Sequence, residues 1–245
     1  MKFQVLAALV KMELKRFVRQ PTNLFMNLLF PAVLTIVFIF AFADPELGMD
    51  LISVVPGLIV YAVIFSIMTI AQSFSSERQE GLLKRLNTTP MTSAEFMGSQ
   101  IITNMLIAIV QVAVVFTLAY LLGFRPTSGF EAIFLAFFVT ALFALSSVGL
   151  GLITATISKT PEIATGVSFI FILPFMFFGT FVPITGATQQ IAAFVPSFYL
   201  TDALKMIFMG DWMNSSFFLD LAVISTVSIL VVVIGIILFD RFGSV

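Results

Sequence analysis

The charged segment at residues 76–90, which reads SERQEGLLKRLNTTP, is the part of this chain best suited to contact with another molecule. Charged residues make up only 10% of the whole sequence, yet five of them fall in this segment. On an α-helix, Leu82, Leu83 and Leu86 would share one face, and the charged side chains would occupy the other. Residues 76–87 are therefore predicted to form a short amphipathic helix. It would be either a docking element for a partner protein or a plain solvated connector.

Several kinds of chemistry are disfavoured because the residues that perform them are missing. The chain has no His and no Cys, so it lacks thiolates, disulfides and the commonest metal ligands. It has no Gly-x-x-x-x-Gly-Lys-Ser/Thr sequence, and it therefore cannot bind ATP in the P-loop manner. No charged residue lies in the middle of its long apolar runs, which argues against a proton relay within the chain. An enzyme acting inside the membrane would need such groups, so this function class is disfavoured too.

The elements that position the charged segment are long and apolar. Hydrophobic residues make up 60% of the chain and the mean hydropathy is +1.12, which leaves too few polar residues to cover a soluble globule. A hydrocarbon core about 30 Å thick needs roughly 20 helical residues. Six uncharged runs approach or exceed that length: residues 20–43, 51–76, 96–124, 132–158, 163–201 and 221–239. Because the runs are continuous rather than alternating, the sequence predicts an all-α integral membrane protein with six transmembrane helices.

The chain is predicted to be a single transmembrane domain over residues 1–245. Its spans are placed at about 22–43, 52–75, 98–122, 131–157, 162–183 and 219–239. Ser128 and Glu131 have the spacing of a capping box and are predicted to begin the fourth span. Small residues crowd that span and are predicted to serve close helix packing within one subunit. They are Ser146, Ser147, Gly149, Gly151, Thr154 and Thr156.

The Lys and Arg residues outside the spans predict the orientation of the chain. Ten lie in the N-terminal tail, the loops after the second and fourth spans and the C-terminus, whereas only Arg125 and Lys205 lie on the opposite side. Both termini are therefore predicted to be cytoplasmic. Residues 1–20 lack the apolar core and cleavage site of a signal peptide.

The N-terminal segment has an amphipathic pattern of its own. Lys11, Lys15 and Arg19 recur every four residues, opposite a mainly apolar face that Glu13 interrupts. Residues 3–19 are predicted to form a helix in the cytoplasmic interface, with its basic stripe towards anionic headgroups. The alternative is a simple positive anchor for the first span.

Two motifs give the chain a family resemblance. Residues 77–90 follow the pattern Glu-Arg-x-x-Gly-x-Leu-x-x-Leu-x-x-Thr-Pro, which resembles the segment after the second span of ABC-2 type transporter permeases. Residues 178–184 resemble the glycine–Phe–x–Pro motif after the fifth span of that family, and a Pro–aromatic segment at 196–199 leads to the last span. The resemblance covers the whole chain, including its length, six spans and basic N-terminal helix.

The resemblance implies a set of partners. Two permease subunits, either two copies of this chain or this chain and a related one, would sit above two cytoplasmic ATPase subunits that bind ATP and Mg. This chain would bind no cofactor of its own, act on no nucleic acid and lie in the cell membrane as a multi-pass protein. Residues 76–87 would form the coupling helix, seated in the ATPase, beside a connecting helix at residues 5–19. The coupling residues are assigned as Glu77, Arg78, Gly81, Leu82, Leu83 and Leu86.

The uncharged run at residues 163–201 is too long for one straight crossing. The resemblance implies that the fifth span ends near Pro183 and that a re-entrant hairpin follows, entering from the outer surface with both ends outward. Gly179, Pro183, Gly186 and Pro196 interrupt the run. Non-helical backbone at membrane depth is tolerated only where protein covers it or where it lines a cavity.

The implied function is export of a hydrophobic or lipid-like substrate, such as a drug or antibiotic, driven by a separate ATPase. The composition leans the same way, because 30 Phe against three Tyr and one Trp offer few polar-edged rings for a sugar. Most of these Phe residues are also explained by lipid contact and helix packing. Polysaccharide export, a non-transporting scaffold and a passive channel are the alternatives.

Overall fold

The computed structural model describes residues 3–42, 50–81, 93–181 and 186–242, and within these ranges the chain is helical, without a β-strand. The all-α class is therefore confirmed. In chain order the elements, of which π1 and π2 are short π-helices, are α1 (Phe3–Arg19), α2 (Pro21–Leu24), π1 (Phe25–Leu29), α3 (Phe30–Phe42), α4 (Leu51–Ile64), α5 (Ser66–Gln79), α6 (Ser93–Leu121), α7 (Phe130–Ile157), α8 (Pro161–Met176), π2 (Phe177–Phe181), α9 (Gly186–Ala192), α10 (Pro196–Met209) and α11 (Ser215–Phe242).

Within the residues that the structure describes, five helical stretches are long and apolar enough to cross a membrane. They are Leu51–Gln79, Gly98–Leu121, Phe130–Ile157, Pro161–Gly179 and Ser215–Leu238, in the places of predicted spans two to six. The apolar stretch in the place of span one, Phe25–Ala41, is shorter. The count of six spans and the position of both termini therefore stay predictions.

The stretch Leu51–Gln79 is the centre of the helix bundle. Of its apolar window 78% is buried, against 22% for Ser215–Leu238 at the periphery. Its two helices, α4 and α5, meet at Phe65, and Ile59, Val63 and Ile67 around this junction are fully buried. The helices α4 and α5 together pack against α6, α7, α8 and α10.

Glycines let α7 approach its neighbours closely. A Cβ atom at Gly149 would lie 2.5 Å from the carbonyl carbon of Val231 in α11, and one at Gly151 would lie 2.7 Å from the side chain of Ile70 in α5. Both distances are shorter than carbon atoms tolerate, so any larger residue would push the helices apart. The prediction that small residues in this helix serve packing within one subunit is confirmed at these two positions.

The capping box predicted at Ser128 and Glu131 is wrong. Helix α7 begins directly after Gly129, which occupies the N-cap position and supplies no side-chain hydrogen bond. The Ser128 hydroxyl instead donates to the main-chain carbonyl of Phe208 at 3.4 Å. This tertiary partner, which local spacing does not reveal, joins the α6–α7 loop to the end of α10.

Helix α10 starts beside the end of α8 and runs parallel to it. The hydroxyl of Ser197 donates to the carbonyl of Phe175 at 2.7 Å, and the hydroxyl of Thr201 donates to the carbonyl of Gly179 at 2.6 Å. The two acceptors advance by four residues as the donors do, which gives the parallel direction. Gly179 permits this approach, since a Cβ atom there would lie 3.0 Å from the Ser197 side chain.

The predicted hairpin residues fall at element boundaries. Gly186 is the first residue of α9, Pro196 is the first residue of α10, and Pro183 lies outside the described residues. At the far end of α10 the N–H of Thr127, in the α6–α7 loop, donates to the carbonyl of Phe208 at 3.0 Å. Helix α10 thus connects the end of α8 with the α6–α7 loop. That α9 and α10 form a re-entrant hairpin stays a prediction.

Candidate functional site

The predicted coupling segment begins as the last turn of α5 rather than as a new helix. The sequence predicts a separate helix at residues 76–87, whereas residues 76–79 continue α5 without interruption. Nothing at Ser76 breaks the helical backbone, and the first residue that leaves it is Gly81, in the left-handed region at φ +69°. The predicted apolar seat, Leu82, Leu83 and Leu86, lies outside the described residues.

Glu77 points into the protein. Its side chain is 3% exposed and forms an ion pair with Arg16 of α1, 61 residues earlier in the chain. The hydroxyl of Ser73, one turn earlier in α5, donates to the same carboxylate oxygen at 3.3 Å. This is the one salt bridge between side chains within the described ranges. It fixes the N-terminal helix to the end of the central span.

Arg16 also lies near a second buried carboxylate, Glu13, one turn earlier in α1. Burial raises the pKa of Glu13, while the charge of Arg16 acts in the opposite direction. A single guanidinium therefore serves two carboxylates. A signal for this group is visible in the sequence, because Glu13 interrupts the apolar face of α1, but the residues that enclose Glu13 are not.

Arg78 fixes the end of α5 to a third element. Its guanidinium donates to the main-chain carbonyl of Ser158, which follows the last turn of α7. The final carbonyls of a helix lack partners within the helix and carry partial negative charge, so a guanidinium stabilises them. Arg16–Glu77 and Arg78–Ser158 together tie α1, α5 and the end of α7 at one level of the bundle. We call these two contacts the α5 joint.

A small polar cavity lies beside the α5 joint. Its volume is about 40 Å³, and Glu13, Arg16, Ser73, Gln100 and Thr103 are among the residues that line it. It has room for a few water molecules and is too small for an organic substrate. The cavity allows the charged groups of the joint to be hydrated without opening the bundle.

Buried amides continue this polar zone towards the centre of the bundle. The Asn27 side chain, in π1, donates to the Thr69 hydroxyl at 2.7 Å, and the Gln111 side chain donates to the Asn27 side-chain oxygen at 3.1 Å. Gln111 also donates to the main-chain carbonyl of Ala62 at 3.2 Å. These bonds hold the helices of spans one, two and three together. The polar residues are visible in the sequence, but their pairing joins positions far apart along the chain.

The predicted basic stripe lies on the outside of α1. Lys11, Lys15 and Arg19 are exposed, and they line an open groove between α1 and α6. They are on a different side of α1 from Glu13, which is buried. The structure therefore brings Glu77 and Arg78 together with α1 and α7, and it leaves the basic stripe free for another contact.

Comparison with known proteins identifies the family. A family model described as ABC-2 type transporter matches residues 4–209, from α1 to the end of α10. "Probable multidrug ABC transporter permease YbhR" of Escherichia coli strain K12 is 26% identical over 163 residues, which cover 64% of this chain and 44% of that protein. "Daunorubicin resistance ABC transporter permease protein DrrB1" of Streptomyces coeruleorubidus is 28% identical over 152 residues, or 62% of this chain and 53% of that protein. The chain thus aligns with about half the length of these curated relatives.

Proposed function

Because this chain belongs to the ABC-2 type transporter family of multi-pass membrane proteins, we propose that it is the permease subunit of an exporter in the cell membrane. Separate cytoplasmic ATPase subunits, two for each pair of permeases, bind ATP and Mg and supply the energy. The observation that carries the proposal is the family match, which takes in α1, the central span and the α5 joint. A second copy of this chain, or a related permease, completes the complex.

The α5 joint supports a mechanical route from the ATPase into the membrane domain. Residues 82–86 contact the ATPase, and its closure on ATP pulls on Gly81 and the end of α5. Since Glu77 and Arg78 tie this end to α1 and α7, the three elements move as one unit. Since α5 continues the most enclosed span, that movement opens the path between the two permease subunits.

Two of the coupling residues, Glu77 and Arg78, are proposed to orient the coupling segment. Glu77 is buried and Arg78 is bound to the end of α7, so both position the segment and leave direct contact with the ATPase to Leu82, Leu83 and Leu86. Gly81 is the turn that aims this segment. Its φ of +69° excludes proline and strains every residue with a Cβ atom.

The substrate is a hydrophobic or lipid-like molecule, drugs and antibiotics included. The names of the two relatives refer to multidrug transport and to daunorubicin resistance. The described helices present many Phe side chains and few polar aromatic groups, which suits such a substrate better than a sugar. The small polar cavity beside the α5 joint is too small to hold such a substrate, and we propose that the path lies between the two subunits.

ATP hydrolysis by the reconstituted complex tests the coupling. The complex contains this chain and its ATPase subunit, and rates are compared with and without a hydrophobic substrate. Glu77→Arg brings a second cation against Arg16 and is expected to abolish most of the substrate stimulation. Lys159→Glu, a charge reversal at an exposed position in the α7–α8 loop, is the control and is expected to keep it. Equal stimulation in both assembled complexes would show that the end of α5 is a plain connector.

A further inference from the structure

The groove between α1 and α6 has an apolar floor. Its volume is about 590 Å³, and the apolar side chains that line it from α1 are Leu6, Ala7, Val10, Leu14 and Val18. Ile102 of α6 forms the opposite wall, where 37% of its side chain remains exposed. Val18, at the end of the groove, is 64% exposed. This elongated surface is left uncovered by the rest of the chain that the structure describes.

The edge of the same groove is cationic. Lys11, Lys15 and Arg19 line it at intervals of four residues, which places them about 6 Å apart along α1. None of its lining residues is acidic, and within the described ranges no salt bridge occupies any of the three cations. Glu13, the acidic residue of α1, is buried on another side of the helix. An apolar groove beside a row of cations is complementary to a molecule with an apolar chain and an anionic headgroup.

We propose that this groove is a binding site for one anionic phospholipid. An acyl chain lies along Val10, Leu14 and Val18 against Ile102, and the phosphate lies at the row of Lys11, Lys15 and Arg19. General attraction of a basic helix to an anionic membrane surface requires only the cations. A specific lipid site also requires the apolar floor of the groove, to which Ile102 of α6 contributes. Its occupancy stabilises α1, the helix that carries Arg16 of the α5 joint. The site does not depend on what the protein transports.

Quenching of a single tryptophan by brominated lipids tests the proposal in the full chain. Trp212 is replaced by Phe, and Ile102→Trp places the probe in the groove wall. The protein is reconstituted in phosphatidylcholine vesicles that contain an increasing fraction of brominated phosphatidylglycerol or brominated phosphatidylcholine. One Lys or Arg near a membrane favours an anionic lipid about fivefold, so we expect quenching by phosphatidylglycerol to require at least about fivefold less lipid.

Three variants separate the site from general surface attraction. Lys11→Gln/Lys15→Gln/Arg19→Gln should remove the preference for phosphatidylglycerol, and Lys159→Gln, at an exposed position away from the groove, should keep it. Val10→Asn/Val18→Asn keeps every cation but should weaken quenching by both lipids, because the acyl chain loses its floor. A preference that survives in the triple variant, or quenching by both lipids that is unchanged in Val10→Asn/Val18→Asn, would overturn the proposal.

Two further measurements keep the test valid if a variant folds poorly. In the Ile102→Trp protein with its cations intact, unlabelled phosphatidylglycerol should restore the fluorescence and unlabelled phosphatidylcholine should not. The native Trp212 lies after α10, at the end of the bundle opposite to Ile102, so without Ile102→Trp it should show no headgroup preference. If Ile102→Trp is shielded from both brominated lipids, a protein surface such as a second copy covers the groove, and the lipid site is refuted.

Discussion

Removing Arg16 from the Arg16–Glu77 ion pair should lower the free energy of unfolding more than removing Glu77 does. Arg16→Gln leaves the Glu77 carboxylate inside the protein, where its side chain is 3% exposed and Ser73 is its remaining described hydrogen-bond donor. Loss of one partner from a buried ion pair costs about 3–5 kcal/mol, because a charge stays buried without compensation. Glu13 loses the same cation at the same time. We therefore expect Arg16→Gln to lower the free energy of unfolding by about 4 kcal/mol.

Glu77→Gln should cost less, because Arg16 can remain hydrated. The Arg16 side chain is 26% exposed and lines the small polar cavity. The carboxylate of Glu13 also remains near it. The loss is then that of one hydrogen bond to a charged group, about 1.5–3 kcal/mol. In the double variant Arg16→Gln/Glu77→Gln the Glu77 charge is gone as well, so its free energy of unfolding should be higher than that of Arg16→Gln alone. Residues in direct contact show such non-additive effects.

Unfolding of the purified chain in detergent or nanodiscs, followed by circular dichroism, measures this order. Lys159→Gln is the control for loss of an exposed charge and should change the free energy by less than about 0.5 kcal/mol. The reasoning fails if Glu77→Gln is as damaging as Arg16→Gln. It also fails if the double variant loses the sum of the two single losses, because the two side chains would then act independently.

Three further predictions concern the buried carboxylate of Glu13, the packing of α7 and the contact between two subunits. Burial raises the pKa of Glu13 above its unfolded value, so the charged carboxylate lowers the stability of the fold at pH values above the folded pKa, and this loss disappears as the pH falls. Glu13→Gln should therefore melt at a higher temperature than the native chain at alkaline pH and lose this advantage at acidic pH. A difference in melting temperature that does not depend on pH would contradict the prediction. Gly149→Ala puts a Cβ atom 2.5 Å from the backbone of α11 and should lower the free energy of unfolding by about 1–3 kcal/mol, the range for overpacking. Gly166→Ala, in α8 with no atom within 4 Å, should instead raise the melting temperature slightly because alanine favours helix. If spans one and five meet their counterparts in a second subunit, cysteines at the exposed positions Val37 and Ile170 should cross-link between subunits, and cross-links formed through α7 alone would contradict this seam.

The helical class and most of the helices follow from the sequence because lipid imposes a simple rule. A chain that crosses the hydrocarbon region must satisfy its backbone within each helix, so uncharged runs of sufficient length locate the helices almost directly. The length of an uncharged run does not, however, predict where a helix ends. Residues 76–79 are polar enough to suggest a new element, yet polarity does not break a helix, and α5 continues to its end at Gln79.

The contacts that form the α5 joint could not be predicted from the sequence. Arg16 and Glu77 are 61 residues apart, and in the sequence Arg16 is one of several basic residues close together in α1. Its partner depends on how α1 lies against α5 and α6, which no local pattern records. The acceptor of Arg78 is a main-chain carbonyl at Ser158, and every residue offers such a group. Glu13 was different, because a carboxylate on an apolar face marks a buried polar contact even when the partner is unknown.

Transport by the complex in sealed vesicles tests the central claim most directly. The chain and its ATPase subunit are reconstituted in proteoliposomes, those with the ATPase outside are supplied with ATP, and accumulation of a fluorescent hydrophobic drug is followed. We predict accumulation with ATP, none with a non-hydrolysable ATP analogue or without the ATPase subunit, and a strong reduction in Glu77→Arg but not in Lys159→Glu. Equal movement of the drug with and without ATP would identify a passive channel, and an absence of any movement by an assembled, ATP-hydrolysing complex would contradict the proposed substrate class.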